Sequence, residues 1–157
     1  MADKANQPDN EWRSHLVDDD DGIARVLRDS KRIAVLGIKM EPFQPAYFVP
    51  EYAKRAGFEI VPVPVYYPGV TEIMGESVYR RVADIPGPID LVNVFRRSRD
   101  VGPHVDDILA KQPKAVWLQV GIRDDDAAER WARAGIDVIQ DRCLMVEMRS
   151  AGIRPAR

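Results

Sequence analysis

Residues 33–45 read IAVLGIKMEPFQP, a short apolar run followed at once by a glycine and a polar, proline-bounded loop. A run that is apolar at every position is typical of a strand buried on both faces of a sheet. Beyond the loop the pattern becomes helical, with Val49, Ala53 and Ala56 on one face and Gly57 where a helix would end. The stretch therefore predicts a β-strand, a turn and an α-helix.

The same pattern recurs along the chain. Apolar runs start at positions 33, 60, 89, 115 and 136, and the spacing leaves room for a crossover helix between consecutive strands. A further short strand is predicted near Ser77–Arg80. This alternation favours an α/β, Rossmann-like, doubly wound and mainly parallel sheet of five or six strands with helices on both faces. The five runs are 33–36, 60–63, 89–95, 115–118 and 136–139.

Two details of this assignment concern boundaries. Pro50 removes a backbone donor, so it should either set the start of the first helix near Val49 or kink that helix. Residues 1–20 are acidic and poor in apolar side chains, which predicts a flexible N-terminal arm. The remaining residues, 21–157, are then one domain of ordinary size.

Bulk composition excludes several function classes. The formal charge of −2 gives no general attraction to nucleic acid or to a membrane surface. Cys143 is the only cysteine, so no internal disulfide and no paired-cysteine metal site can form, and we expect no bound metal. No apolar run has the length of a membrane span, and no leader pattern is visible. A cytoplasmic protein is expected.

Loops that leave the carboxyl ends of parallel strands converge on one edge of the sheet, where helix N-termini present N–H groups to anions. A dinucleotide site normally shows G-x-G-x-x-G after the first strand and an acidic residue closing the second. Here only Gly37 stands in the first loop, and the second strand closes with Val63-Pro64-Val65. These residues argue against a nicotinamide cofactor. The exposed Tyr66 and Tyr67 are better placed to meet an adenine than the core tryptophans.

What the strand-end loops offer instead is positive charge. A single surface cation is usually just solvated, but three arginines between 96 and 99 need anions or carboxylates nearby. Coenzyme A carries a pyrophosphate and a ribose 3′-phosphate, which would suit a basic crevice. The basic residues of these loops are Lys39, Arg96, Arg97, Arg99, Arg123 and Arg142.

At these loops the sequence resembles the small CoA-binding proteins whose domain also forms the nucleotide-binding part of the succinyl-CoA synthetase α subunit. The resemblance runs from about Ser30 to Arg149. It is carried by three segments in order: Val94-Phe95-Arg96, Trp117-Leu118-Gln119-Val120-Gly121 and Asp141-Arg142-Cys143-Leu144-Met145-Val146-Glu147, after the earlier Ile33–Gly37, Ile73–Gly75 and Asp84–Asp90.

The resemblance implies CoA or an acyl-CoA as ligand and assigns positions to it. The loop from Gly37 through Ile38 and Lys39 to Gln44 would wrap the pyrophosphate, and Val63, Pro64 and Val65 would flank the adenine. Phe95, Arg96 and Arg97 would border the nucleotide, while Gln119, Gly121 and Cys143 would line the path of the pantetheine arm. The chain departs from the family pattern at Lys39, Gln44 and Pro64-Val65, where a Ser, an Arg and an Asn-Pro are usual.

Catalytic machinery is not evident. His15 and His104 have no nucleophile and orienting carboxylate beside them in the sequence, so a catalytic histidine is not expected. Cys143 has two interpretations: a thiolate activated at a helix N-terminus beside Arg142, or a small buried hydrophobic residue. We therefore expect a non-enzymatic CoA-binding module that recognises a small molecule. The alternatives are a nicotinamide-dependent oxidoreductase, a Cys143-dependent acyl-CoA enzyme, and a scaffold with a vestigial pocket.

Overall fold

A computed structural model describes residues 8–156. The strands are β1 (Arg32–Leu36), β2 (Glu59–Val63), β3 (Glu72–Ile73), β4 (Glu76–Ser77), β5 (Leu91–Val94), β6 (Ala115–Leu118) and β7 (Asp137–Ile139). The α-helices are α1 (Pro8–Glu11), α2 (Asp20–Arg28), α3 (Pro45–Arg55), α4 (Val105–Lys111), α5 (Asp125–Arg133) and α6 (Leu144–Ser150). Four 3₁₀ turns span Trp12–His15, Val82–Asp84, Ser98–Asp100 and Gly102–His104.

Five of the strands form one parallel sheet in the order β2-β1-β5-β6-β7. All four strand pairs are parallel. The chain moves outward to β2 first and then returns past β1 to build the other half, so β1 and β5 are adjacent at the point where the order reverses. This confirms the predicted doubly wound α/β fold. The strand predicted near Ser77–Arg80 is not a sixth strand of this sheet; β4 pairs with β3 in a separate antiparallel hairpin.

Helices cover both faces of the sheet, as predicted. Alternate residues of each strand point to opposite faces, so Ile33 and Val35 pack with α2, α3 and α6, whereas Ala34 and Leu36 pack with α4 and α5. Trp117 and Trp131 are fully buried, one on each side. Both tryptophans are core residues, in agreement with the sequence analysis.

Within the predicted N-terminal arm, the segment 12–17 packs against the domain; the first seven residues lie outside the described range. Trp12 is 9% exposed and Val17 is 5% exposed. Leu16 bridges Val138, and the Val17 N–H donates to the Val138 carbonyl at 2.9 Å. The prediction of a flexible arm gave more weight to the acidic composition of the segment than to these apolar residues. In the fold they cover β7, whose edge would otherwise leave backbone groups unpaired.

In the part of the chain that the structure describes, no helix is long and apolar enough to cross a bilayer.

Candidate functional site

The candidate site is the carboxyl edge of the parallel sheet, near the junction of β1 and β5. Gly37 follows β1 with a φ of +87°, and a Cβ built on it would lie 2.3 Å from the Phe95 carbonyl oxygen. Its N–H donates to the Val63 carbonyl at 2.9 Å, and the Phe95 N–H donates to the Leu36 carbonyl at 2.8 Å. Only glycine permits both this conformation and this approach. The predicted residues Gly37, Val63 and Phe95 therefore meet at one point.

The loop from Gly37 to Gln44 is shaped by Pro50, five residues into α3. The proline has no N–H to give the Ala46 carbonyl, which instead accepts the Lys39 N–H at 3.1 Å. This tertiary hydrogen bond lets α3 begin at Pro45 and continue through Pro50. Of the two alternatives expected for Pro50, a helix start near Val49 is therefore wrong. Gln44 is the N-cap, makes no side-chain cap, and is followed by a first turn without acidic residues. The N-terminus of α3 therefore meets the loop with its positive end uncompensated.

The loop after β2 fastens onto this loop through Tyr67. The Tyr67 hydroxyl donates to the Glu41 carboxylate at 2.6 Å and accepts the Met40 N–H at 3.2 Å. The hydrogen bond from Tyr67 lowers the pKa of Glu41, while partial burial and Glu41 raise the pKa of Tyr67. At neutral pH the pair is thus a phenol bonded to a carboxylate. Tyr66 is 51% exposed at the rim, as expected, whereas Tyr67 is a structural link.

Arg80 holds the loop after β2 through hydrogen bonds to its backbone. Its guanidinium donates to the carbonyls of Tyr66, Tyr67 and Val70 at 2.9, 2.6 and 2.9 Å. Val63 and Pro64 at the end of β2 are buried and Val65 is half-buried. Nothing in the spacing of the sequence singles out Arg80, because its partners are carbonyls of a loop whose path is set by tertiary contacts.

The predicted cations differ in their surroundings. Arg97 pairs with Asp100 at 3.0 Å, Arg123 with Asp125 at 3.3 Å, and Arg142 with Glu147 at 3.2 Å. Lys39 lies with its Nζ 4.5 Å from the centre of the Tyr66 ring. The Arg96 Nε is buried and has no hydrogen-bond partner among the described residues. Arg99 is exposed. Among the described residues, the predicted cations without a carboxylate partner are therefore Lys39, Arg96 and Arg99.

Arg96 borders the glycine turn. Its Cδ would be 3.4 Å from a Cβ at Gly37. Burial lowers the pKa of the neighbouring His104, and the charge of Arg96 adds to this effect against the opposing influence of Asp107 and Asp100. A half-buried neutral imidazole and an arginine with an unsatisfied Nε thus lie at the strand end. This is a fitting environment for an oxyanion.

The residues predicted to line a pantetheine arm divide between the interior and the surface. Gln119 is 3% exposed, and its Oε1 accepts the Leu144 N–H at 3.2 Å and the Asn93 Nδ2 at 3.3 Å. Cys143 is half-buried at the N-cap of α6. Gly121 is exposed and donates its N–H to Asp141 at 2.6 Å. Gln119 and Cys143 are therefore neighbours, while Gly121 belongs to the outer rim.

Asn93 was missed by the sequence analysis. It is 0% exposed within β5, and its Oδ1 has no partner in the described residues. A single amide inside the apolar run 89–95 was the signal that could have identified it.

The two histidines occupy different edges. His15 Nδ1 lies 2.8 Å from Asp137, the first residue of β7, so an orienting carboxylate is present although none was expected. This pair lies at the amino edge, away from the loops described above. It fastens the N-terminal segment to β7 together with Arg25, which lies 3.5 Å from the same carboxylate.

A polar groove of about 750 Å³ lies beyond β7, between the N-terminal segment and α5. Its lining carries six carboxylates and two arginines: Asp18, Asp19, Asp125, Asp126, Glu129, Asp141, Arg123 and Arg142. Within residues 8–156, no group of three or more His, Cys, Asp or Glu side chains could hold a metal ion. The acidic lining disfavours a phosphorylated ligand in this groove.

Comparison with known proteins identifies the family. The model of the CoA binding domain matches residues 31–149, most of the chain. The chain belongs to the CoA-binding domain family. It is 35% identical over 124 residues to the uncharacterized protein YneT of Bacillus subtilis, covering 79% of this chain and 90% of YneT.

Solved structures share the fold. A Thermus thermophilus protein, cell-free ID.343, is 36% identical with a TM-score of 0.80, covering 85% of this chain and 99% of that one. An acetyl-coenzyme A synthetase 1 from Ca. Korarchaeum cryptofilum is 21% identical with a TM-score of 0.58. That match covers 69% of this chain and 25% of the synthetase. At this identity the likeness concerns the fold alone.

Proposed function

We propose that this protein binds coenzyme A or an acyl-CoA at the carboxyl edge of the sheet and does not transform it. The observation that carries the proposal is the uncapped N-terminus of α3 beside Lys39 and the unpartnered Nε of Arg96. Pro45 has no N–H, and the N–H groups of Tyr47 and Phe48 donate to the Gln44 carbonyl, so the first turn offers the Ala46 N–H and the positive end of the helix dipole. With a lysine and an arginine beside it, this end suits a pyrophosphate. The family membership supports CoA among the phosphorylated ligands.

The residues present fit this ligand in other respects. Gly37 lets the first loop turn directly against Phe95, which brings this loop beside Arg96. Tyr66 offers an exposed ring at the same rim. The substitution of Lys39 for the usual Ser supplies a charge, which compensates in part for Gln44 where an Arg is usual.

Non-catalytic binding is proposed because no group near the site is arranged for nucleophilic chemistry. The guanidinium of Arg142, which could activate Cys143, is engaged by Glu147 at 3.2 Å and by the Asp18 carbonyl at 2.8 Å. The end of β2, Val63-Pro64-Val65, has no carboxylate for the ribose of a nicotinamide cofactor. No feature of the site favours either enzymatic alternative.

Isothermal titration of ligand-stripped protein with CoA tests the binding. At about 100 μM protein, even a Kd on the order of 10⁻⁴ M gives a measurable heat, and we expect saturable binding of CoA. NAD under the same conditions is the matched control and should give none. Absence of heat with CoA would contradict the proposal, and heat with NAD alone would support the oxidoreductase alternative.

A second assay tests the absence of catalysis. The protein is incubated with acetyl-CoA, and free thiol is measured with a colorimetric thiol reagent. We expect no release of CoA above a protein-free blank. Release over several turnovers that disappears in Cys143→Ser would instead establish thiol-dependent hydrolysis, in which Cys143 takes the acetyl group from CoA and water then removes it as acetate.

A further inference from the structure

A buried chain of two amides crosses the sheet just behind the candidate site. Asn93 of β5 donates its Nδ2 to Gln119 Oε1 at 3.3 Å, and the Leu144 N–H at the start of α6 donates to the same oxygen at 3.2 Å. Asn93 and Gln119 are 0% and 3% exposed. The two hydrogen-bonded amides therefore join β5, the end of β6 and α6 within the core.

The Leu144 N–H fixes the orientation of both side-chain amides. The Leu144 N–H can only donate, so Gln119 must turn its oxygen toward it. That oxygen also faces Asn93, so Asn93 must turn its NH₂ toward Gln119. Rotating either amide would bring two acceptors or two donors together. Asn93 Oδ1 is consequently directed away from Gln119.

Within residues 8–156 this oxygen has no hydrogen-bond partner, although its exposed surface is below 1 Å². Buried carbonyl oxygens in folded proteins are almost always paired, because an unpaired one forfeits its interaction with water. Asn93 pairs with Val35 of β1 and Trp117 of β6, so it lies where β1 and β5 meet and two residues before Phe95. A donor is missing at the point where the sheet order reverses, which is where ligands of such folds bind.

We propose that Asn93 Oδ1 accepts a hydrogen bond from an amide N–H of the pantetheine arm. The inference rests on the proposed function and extends it to specificity: Asn93 distinguishes CoA from nucleotides that carry the same phosphates without the arm. The arm has two amide N–H groups on a narrow, flexible chain, and it is the part of CoA that can enter a packed interior.

Entry of the arm requires side chains to move. Phe95, Cys143 and Met145 are partly buried and pack on the same core cluster as Val35, Trp117 and Leu144. Met145 is flexible and unbranched, so it can change rotamer at low cost. We expect the arm to displace these side chains in order to reach the oxygen.

Asn93→Leu separates a recognition role from a structural one. The leucine is close to asparagine in size, and Gln119 Oε1 keeps its hydrogen bond from Leu144. The substitution removes an unpaired buried oxygen but also the Nδ2 hydrogen bonds to Gln119 Oε1 at 3.3 Å and to the Trp117 carbonyl at 3.5 Å. These effects oppose each other, so without ligand the variant should have a stability close to that of the wild type. A purely structural role predicts lower stability and unchanged selectivity between ligands.

The experiment measures the affinities of wild type and Asn93→Leu for CoA and for 3′-phospho-ADP, which lacks the pantetheine arm, together with thermal unfolding without ligand. We expect the variant to bind CoA on the order of ten-fold more weakly, as for a lost neutral hydrogen bond, with unchanged affinity for 3′-phospho-ADP. Ser30→Ala, which removes a buried hydroxyl bonded to the Val26 carbonyl at the amino edge, is the matched control and should change neither affinity. Should Asn93→Leu not fold, Asn93→Ala provides the same comparison.

Unchanged CoA affinity in the variant, or an equal loss for both ligands, would overturn the role of Asn93 and leave the proposed function standing. That is the outcome if a buried water satisfies the oxygen. Failure of the wild type to bind either ligand would instead overturn the proposed function and this inference with it.

Discussion

The two halves of the carboxyl edge both carry cations and use them differently. Beside β6 and β7, Arg123 and Arg142 are paired with Asp125 and Glu147 and border a groove with six carboxylates. Beside β1 and β5, Lys39 lies over an aromatic ring and Arg96 keeps a buried Nε without a partner. An anion site is therefore defined by which cations are left unpaired rather than by how many are present.

The glycine turns on the two halves give the largest expected contrast. Gly37→Ala places a methyl group 2.3 Å from the Phe95 carbonyl at a φ of +87°, so strain and collision act together. We expect it to lower the free energy of unfolding by about 3 kcal/mol or more. Gly121→Ala has a φ of +84° with nothing within 4 Å, so it should cost only about 1 kcal/mol. Urea denaturation measures both, and equal losses would show that the contact with Phe95 is unimportant.

Two adjacent arginines, Arg96 and Arg97, are expected to differ in their contribution to CoA affinity. Arg96→Ala removes the cation with the unpartnered Nε, so CoA affinity should fall about 10- to 100-fold, as for a charged hydrogen bond. Arg97 is already paired with Asp100 and exposed, so Arg97→Ala should change affinity by less than about three-fold. Titration calorimetry at one salt concentration measures both. A larger effect of Arg97→Ala would place the phosphates elsewhere.

Sequence patterns predicted the fold well because uniformly apolar runs such as 33–36 and 115–118 have few alternatives to buried strands. Glycine after β1 also located the turn of the site. The start of α3 was missed because a tertiary hydrogen bond from Lys39 to the Ala46 carbonyl offsets the defect at Pro50. No local pattern contains that contact.

The sequence also did not show which cations are paired with a carboxylate or a carbonyl. Arg97 finds its carboxylate three residues away, but Arg142 also binds the Asp18 carbonyl, 124 residues distant in the chain. The packing of residues 12–17 on β7 depends on Trp12 and Val17, two apolar side chains within a polar segment. Charge pairing and edge covering depend on tertiary proximity, which composition does not encode.

Tyr67→Phe tests the link between the first two loops. It removes the hydroxyl that joins Glu41 to the Met40 N–H, so unfolding free energy should fall by about 1 kcal/mol. Tyr66→Phe keeps the ring beside Lys39 and should leave stability unchanged. Thermal unfolding at neutral pH measures the difference. Equal stability of the two variants would mean that the loops are held by other contacts.

The smallest expected effect is the pH response of His104. Its pKa is lowered in the folded protein, chiefly by burial and then by Arg96, so the unfolded chain takes up the proton first as the pH falls below 6.5. The contribution of His104 to stability is thus complete above that pH and declines below it. His104→Asn should show a flatter dependence of unfolding free energy on pH between about 6.5 and 5 than the wild type. Parallel curves would contradict the shift.

We place the phosphorylated ligand against the β1 and β5 half of the carboxyl edge. Amide chemical shifts of ¹⁵N-labelled protein, followed during a CoA titration, report this position directly. We expect the largest changes at residues 37–41 and 95–97, with small changes at 123–129 and 138–142. Changes concentrated around the acidic groove beyond β7 would contradict it.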